Sequence, residues 1–322
     1  MPYPYLPSLE QFPPLLPQFL RKRRAGLPAA SELIPRLHLD RQTFFTLVTL
    51  HQLQGSYSGE PVTRSQINLY NPYATNDIYS QPITILLDKE LLSQDSDGGL
   101  LLTPYAHDQI ERLHSSARSY LAGLSPLAYD EMQELAHTLS SIVDLIVDNP
   151  VLSPCRGSHL ASSRSLDSFG GDAPPLVRIE QAVHDLWMAR DDAHMHAWRK
   201  ADMPGPAMPV LNLLYAGGVP TVSALADMLT SDQRPESIRS NMAFLIDQSY
   251  VVRNSDEIAL TPAGRLIRDN IESETNRIYF TPWPETSEGN VVQLCRALNT
   301  LTRNLPTPFD RALSASKPDR TA

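Results

Sequence analysis

The amino-acid sequence predicts a mainly α-helical protein with two small β-hairpins (an α+β fold), arranged as two copies of one unit. Residues 221–265 contain, in order, a short amphipathic helix, a turn, a second helix, two short strands and a third helix. A stretch beginning near residue 62 has the same order, with equivalent apolar positions 160 residues earlier. A constant spacing held over several elements is hard to obtain by chance, so we expect an internal repeat.

The second copy shows the pattern most clearly. Its first helix is predicted at 222–229, and Pro235 stands where the next helix can begin. Residues 254–256 are typical of a turn between two strands, and Thr261 with Pro262 caps and restarts a helix. This order is typical of a winged helix-turn-helix domain. The second helix has four apolar residues at the spacing of one buried stripe, namely Ile238, Met242, Leu245 and Ile246.

The first copy follows the same order with two differences. Its second helix is predicted at 75–89, and Pro82 in the middle should kink or shorten it by removing a helical hydrogen bond. Its hairpin turn, 95–99, is expected to make the first hairpin two residues longer than the second. Long helices follow each hairpin, and we expect them to pack on the other copy. The two tandem units would then form an internal pseudo-dimer.

Composition divides the chain into five segments. The first is rich in proline and is expected to be extended before short helices, with a basic run at 21–24 that is either a solvated helix end or a phosphate-contacting arm. The segments are the arm 1–36, unit 1 at 37–150, a flexible linker at 151–175, unit 2 at 176–305 and a polar tail at 306–322.

Composition also narrows the class of protein. No apolar run approaches the length of a membrane span and the N-terminus is not a signal peptide, so we expect a cytoplasmic protein without membrane contact. Cys155 and Cys295 lack metal-ligand spacing. The formal net charge of −9 argues against indiscriminate nucleic-acid binding, but it leaves room for a local basic face.

Each copy resembles a protomer of the multiple antibiotic resistance regulator (MarR) family of bacterial transcription factors. The motifs are LIDQSYVV (245–252) and LTPAGR (260–265) in the second copy, and LLDKELL (86–92), LLTPYAH (101–107) and LAGLSPLAYDEMQEL (121–135) in the first. The last of these is similar to the family's dimerisation helices. Because that family usually forms homodimers, the resemblance implies a fused pseudo-dimer that regulates transcription by binding double-stranded DNA.

The resemblance also implies that the second helix of each unit enters the major groove and that the hairpin, or wing, approaches the minor groove. The first copy has no basic residue in this helix before Lys89 and has an acidic wing, so we expect unit 2 to hold the DNA. Unit 1 would be a degenerate partner, or would contact DNA through polar residues and the basic run. The candidate DNA-binding residues are Arg234, Ser237, Arg239, Ser240, Asn241 and Arg253.

An alternative leaves these arginines as a solvated helix face. The protein would then be a protein-interaction or ligand-sensing scaffold that has kept the fold without DNA binding. In the resembled family small effectors bind between the dimerisation helices and the winged domain. Trp187, His194 and Trp198 are therefore candidate ligand-binding residues for a small aromatic or amphipathic effector.

Other chemistry has little support in the sequence. Histidines and aspartates between 184 and 196 include helical pairs that could share a metal, but they spread around the helix and a structural role is expected. We therefore predict no metal site and no other cofactor. The chain contains no phosphate-binding glycine loop and no nucleophile elbow, so we predict no catalytic residues and no enzymatic activity.

Overall fold

A computed structural model describes residues 5–26, 29–75, 77–150, 152, 158–164, 173–217, 221–229 and 233–306. These residues are mostly helical, with two small antiparallel sheets and a short 3-10 helix at Pro7–Gln11. The helices are α1 (Leu15–Gly26), α2 (Ala29–Arg36), α3 (Arg41–Ser56), α4 (Arg64–Tyr70), α5 (Ser80–Asp88), α6 (Pro104–Ala122), α7 (Tyr129–Asp148), α8 (His159–Arg164), α9 (Pro175–Lys200), α10 (Ala207–Tyr215), α11 (Val222–Leu229), α12 (Pro235–Asp247), α13 (Pro262–Phe280) and α14 (Glu288–Asn304). The strands are β1 (Leu92–Gln94), β2 (Leu100–Leu102), β3 (Val251–Asn254) and β4 (Glu257–Leu260).

The buried apolar residues fall into three clusters. The first winged core is formed by α2 to α6 with β1 and β2. The second winged core is formed by α10 to α12, β3, β4, the C-terminal end of α9 and part of α13. A central core joins α1, α7, α8, α14, most of α9 and the C-terminal ends of α6 and α13. Two winged segments are thus connected through a shared helical centre.

Helix α9 connects the central core to the second winged core. It is 26 residues long, and most of its apolar residues from Leu176 to Ala193 are buried in the central core. Its last buried residues, including Met195 and Trp198, lie in the second winged core. One continuous helix therefore contributes to both the central core and the second winged core.

Side-chain caps explain where several helices begin. Asp40 accepts a hydrogen bond from the backbone of Thr43 at the start of α3. Thr63 forms a capping box with Gln66 at the start of α4. Thr103 and Thr261 cap α6 and α13, and in both helices proline follows as the first residue. These caps agree with the signals in the sequence.

The two hairpins correct the predicted register. Glu90 and Ser249 both have positive φ at the turn before the first strand, and they are 159 residues apart rather than 160. Thr103 and Thr261, which follow the second strand, are 158 apart. The first hairpin is therefore longer than the second by one residue and not by two.

The predicted apolar stripe of α12 is confirmed at three of its four positions. Ile238, Met242 and Leu245 are almost fully buried, whereas Ile246 is 38% exposed. Consecutive residues of a helix differ in direction by about 100°, so Leu245 and Ile246 cannot both face the core. Only the i, i+4, i+7 set is needed to bury this helix.

Helix α5 is shorter than the range 75–89, and shortening is one of the two effects predicted for Pro82. It begins at Ser80, which places Pro82 in the first turn instead of the middle. Backbone N–H groups in the first turn have no intrahelical partner, so proline is tolerated there. The residues just before it, 77–79, form a turn. This turn projects towards the second winged core.

The N-terminal arm was expected to be extended before short helices. Short helices are present, but they begin already at Pro7 and make up most of the described arm. Phe12, Leu16 and Phe19 are fully buried in the central core. Pro7 begins the 3-10 helix, and Pro17 lies in the first turn of α1, where a missing N–H costs little. Arg23 of the basic run forms an ion pair with Glu180 on α9. The guanidinium of Arg23 is therefore paired within the protein and is not available to bind phosphate.

Part of the predicted flexible linker is ordered. Helix α8 packs on α9 and α3, and Leu160 is fully buried. The remaining linker residues up to 172, apart from 152 and 158, lie outside the described residues, as does the predicted tail from 307 onwards. Among the described helices, none combines the length and apolarity needed to cross a membrane.

Candidate functional site

Helix α12 has one face available to a partner. Its exposed residues follow the i, i+3, i+4, i+7 spacing of a single outward face, opposite the residues buried in the second winged core. On this face Arg239 is the cation, and Ser240 lies beside it. Arg239 forms an i, i+3 ion pair with Glu236 at 3.0 Å, and both side chains are largely exposed. An exposed pair of this kind is weak, so Arg239 can exchange it for another anion.

Two further candidate residues lie at the start of α12. Arg234 occupies the N-cap position, and Ser237 is half-buried in the first turn. The Nε atom of Arg234 lies 3.3 Å from Oδ2 of Asp77, which belongs to the turn before α5. The beginning of one winged segment's second helix is therefore in contact with the corresponding region of the other segment.

Asn241 was predicted to contact DNA, but its side chain faces the interior. It is 9% exposed, and its Nδ2 donates a hydrogen bond of 2.9 Å to Oε1 of Gln233. Gln233, itself 1% exposed, donates to the backbone oxygens of Tyr73 and Pro206. Asn241 lies on the same side of α12 as Ile238 and cannot reach a duplex without breaking this network. The side chain of Asn241 therefore has a structural role.

The wing of the second segment carries Arg253 on β3. The side chain is exposed, and its Nε donates a hydrogen bond of 2.6 Å to the backbone oxygen of Ser255. This bond folds the guanidinium over the hairpin turn. Asp256 and Glu257 are also exposed on this turn, so the wing has mixed charge.

The corresponding surface of the first segment is not basic. The exposed residues of α5 are Gln81, Thr84 and Asp88. At the tip of its hairpin, Asp95 accepts hydrogen bonds from the backbone N–H groups of Asp97 and Gly99. Carboxylates at the wing repel phosphate, so the two segments differ in the electrostatic potential they offer to nucleic acid.

A cavity of about 730 Å³ lies between the N-terminal arm, α9, α10, α13 and the residues following α4. Two of the candidate ligand-binding residues, Trp187 and His194, line it together with Tyr73 from the first segment. Trp198 does not line it, but its Nε1 donates to the hydroxyl of Tyr73 at 3.4 Å. The three predicted ligand-binding residues are therefore close together, with Trp198 behind Tyr73.

The cavity wall is charged and incompletely paired. Arg190 and Arg268 both form ion pairs with Glu272. Burial opposes the ionisation of Glu272, but these two guanidinium groups outweigh it and hold the pKa of Glu272 below its usual value. Within the described part of the chain, Nε of Arg190 and Oδ1 of Asn212 are buried without a hydrogen-bond partner. Both residues line the cavity and could bind a polar group of a ligand.

Asp191 and Asp192 of α9 bind α8 and the residues that follow α4. Asp191 accepts from the hydroxyl of Tyr73 at 2.8 Å and pairs with Nδ1 of His159 at 2.7 Å. Asp192 accepts from the backbone N–H groups of His159 and Leu160 and so caps α8. Burial opposes both charges of the His159–Asp191 pair, but their mutual attraction outweighs it. The pKa of His159 is raised and the pKa of Asp191 is lowered.

Ser163, His184 and Asp185 come together, but they do not form a catalytic triad. Ser163 is 1% exposed and contacts both partners through its hydroxyl, at 2.7 Å from Nδ1 of His184. In a triad the histidine lies between the other two residues and the serine is accessible. The arrangement here instead joins α8 to α9.

Sequence reasoning missed the contact between the two winged segments. Tyr73, Asp77 and Gln233 belong to loops, and no periodic pattern marks a loop residue for contact with a distant segment. The only available signal was Pro82, which shortens α5 and leaves the preceding residues free to form the contact.

Comparison with known protein families assigns the chain to one of them. A model of a helix-turn-helix family matches residues 110–307, which is more than half of the chain. The protein therefore belongs to this helix-turn-helix family. The match runs from within α6 to the end of α14 and includes the whole second winged segment. No curated protein and no solved structure matches the chain. The family points in general to a DNA-binding regulator of transcription rather than to an enzyme.

Proposed function

We propose that the protein is a transcription regulator in which two tandem winged helix-turn-helix units, resembling a fused MarR-family dimer, bind DNA through the second unit alone. The observation that carries this proposal is the outward face of α12, where Arg239 and Ser240 are exposed and Arg234 stands at the N-terminus. Helix N-termini and arginine side chains are suited to phosphate and guanine contacts.

The contact between the units supports a single DNA-reading helix. Two helices that read successive turns of the major groove are ~34–36 Å apart. Only two residues lie between Asp77 and the start of α5, and Asp77 contacts Arg234. The N-terminal ends of α5 and α12 are therefore much closer than that spacing. The recognised DNA sequence is accordingly a single half-site without a palindrome.

The proposal is tested by selection from a random duplex library at low and moderate salt. We expect one enriched, non-palindromic motif and an affinity that falls with salt. Arg239→Ala should weaken binding by ~1–3 kcal/mol, or roughly 5- to 150-fold, if Arg239 contacts a base. Arg112→Ala is a matched control, because Arg112 is also an exposed arginine in a weak intrahelical ion pair.

The motif selected, or the absence of one, distinguishes the proposed function from its alternatives. A palindromic motif with two half-sites would mean that both units read DNA in a more open arrangement. The absence of binding even at low salt would favour the alternative of a ligand-sensing or protein-interaction scaffold. The carboxylate of Asp77 beside α12 and the pairing of Arg239 with Glu236 are the observations that favour this alternative.

We also propose that a small aromatic or amphipathic ligand binds in the cavity beside Trp187 and His194. The unpaired Nε of Arg190 and Oδ1 of Asn212 offer it one donor and one acceptor. The same cavity is lined by Tyr73, which is four residues from Asp77. A ligand that moves this loop would change the surroundings of Arg234 and so alter DNA binding.

Ligand binding can be measured by tryptophan fluorescence with a panel of small aromatic acids and amines. Quenching by a member of the panel should be reduced in Trp187→Phe, because Trp187 lines the cavity. Trp283→Phe serves as the control, since Trp283 lies in the central core. Equal quenching in wild type and Trp187→Phe would place the ligand elsewhere.

A further inference from the structure

Imidazole and carboxylate side chains cluster between α3 and α6 in the first winged segment. His51 comes from α3, while His107, Glu111 and His114 come from α6, where the spacing i, i+4, i+7 places them on one face. One ligand atom from each of His51, His107 and Glu111 lies within 4.8 Å of the others. The ring of His51 is 5.0 Å from that of His107 and 5.5 Å from that of His114, measured between ring centroids.

One distance in the cluster is close to that between two ligands of a tetrahedral metal centre. Zinc binds imidazole nitrogen and carboxylate oxygen at ~2.0–2.2 Å, so two ligand atoms in a tetrahedral site are ~3.3–3.6 Å apart. Nε2 of His51 is 3.1 Å from Oε1 of Glu111, which is already near this separation. His107 is exposed, and rotation about its side-chain bonds can close the remaining gap.

The buried imidazole of His51 faces Glu111 through its Nε2 atom. Its side chain is 6% exposed, and its Nδ1 has no hydrogen-bond partner among the described residues. A buried polar atom without a partner is costly and requires an explanation.

We propose that His51, His107 and Glu111 bind a divalent transition metal, with zinc as the best match to the two imidazoles and one carboxylate. His114 or a water molecule completes the coordination. Arg118 approaches the other carboxylate oxygen, Oε2 of Glu111, at 4.0 Å, and it leaves Oε1 for the metal. The site joins α3 to α6 and so clamps the first winged core.

The test uses the full-length protein after treatment with a chelator. Co²⁺ titrated into it should bind with one-to-one stoichiometry, give the intense visible absorption of a four-coordinate site, and be displaced by Zn²⁺. His107→Gln should weaken binding by at least about 10- to 100-fold, the loss typical of perturbed metal sites. Because His107 is exposed, this substitution should leave the fold intact.

A second measurement separates the site from adventitious binding. Zn²⁺ should raise the thermal midpoint of wild type, because a ligand that binds only the folded state stabilises it. The increase should be absent in His107→Gln and retained in His196→Gln, where the replaced histidine is exposed on α9. Equal Zn²⁺ affinity in wild type and His107→Gln would overturn the proposal, as would a six-coordinate Co²⁺ spectrum. Neither readout requires DNA, so it does not depend on the proposed regulator function.

Discussion

Arg234 at the N-terminal end of α12 forms an ion pair with Asp77, which lies three residues before α5. The pair joins the N-terminal ends of the second helices of the two winged segments. The two side chains are 44% and 59% exposed, and pairs this accessible stabilise a fold by at most ~1 kcal/mol. The consequence of the pair is electrostatic, because it places a carboxylate beside the residue that would meet a phosphate.

Asp77→Asn is therefore expected to strengthen DNA binding. Removal of the carboxylate relieves repulsion and frees Arg234, which we expect to raise affinity about 2- to 5-fold at low salt. The equilibrium dissociation constant for the selected duplex, measured at two salt concentrations, checks this. Asp144→Asn on α7 is the control, since Asp144 is exposed on a helix of the central core. A decrease in affinity would instead mean that Asp77 orients Arg234 for DNA.

Asn241 and Ser240 are neighbours in α12 with opposite expected roles. Asn241→Ala leaves Oε1 of the buried Gln233 without its donor, so we expect a loss of ~1–3 kcal/mol in the free energy of unfolding. Ser240 is exposed, and Ser240→Ala should change it by less than ~0.5 kcal/mol. Urea denaturation of both variants measures the difference. If Asn241→Ala were as stable as wild type and only DNA binding were weakened, the side chain would turn outward in the complex.

Local patterns in the sequence predict the winged segments well. Caps such as Thr103 and Thr261, and the apolar spacing of α12, depend on neighbouring residues and can be recognised without the fold. The shortening of α5 at Pro82 was predicted, but the residues at which α5 and α1 begin were not, because the effect of a proline depends on whether the helix begins before or after it. Periodicity does not determine that starting point.

The candidate sites were less predictable, because their residues come from separate elements. His51 is 56 residues from His107, and neither belongs to a short metal-binding motif. The histidines and aspartates that are dense in the sequence lie on α9 and do not form a metal site pattern. The proposed site instead combines His51 of α3 with residues of α6. Asn241 was misplaced because the sequence does not show that Gln233 is buried beside it.

The His159–Asp191 pair should make stability depend on pH. Because the pKa of His159 is raised in the folded state, the pair stabilises the protein fully below the unfolded value of ~6.5, down to the range where aspartate is protonated. This contribution is lost as pH rises through the folded pKa of His159. His159→Gln should therefore be most destabilising near pH ~6 and less so near pH ~9.

Urea midpoints of wild type and His159→Gln over this pH range test the prediction. Titrating groups away from the pair are common to both proteins, so their contributions cancel in the difference. His196→Gln, a substitution at an exposed residue of α9, should show a small difference at every pH. A difference for His159→Gln that grew with pH would contradict the assigned direction of the shift.

Gly205 allows the two winged segments to touch. A Cβ atom at this position would lie 2.3 Å from the backbone oxygen of Pro72 and 3.2 Å from a ring carbon of Trp198. Backbone cannot move aside as a flexible side chain can, so Gly205→Ala should push the loop after α4 away from the second winged core. We expect a loss of ~1–3 kcal/mol in the free energy of unfolding, the usual cost of overpacking.

Gly289→Ala is the matched control, with the opposite sign. Gly289 lies in α14, where an added Cβ would meet only Oγ of Ser287 at 3.7 Å. Alanine favours a helix and restricts the unfolded chain, so this variant should be as stable as wild type or more stable by up to ~1 kcal/mol. If Gly205→Ala were equally harmless, the loop after α4 would not be held against the second winged core in solution. The single DNA-reading helix inferred from that contact would then lose its structural basis.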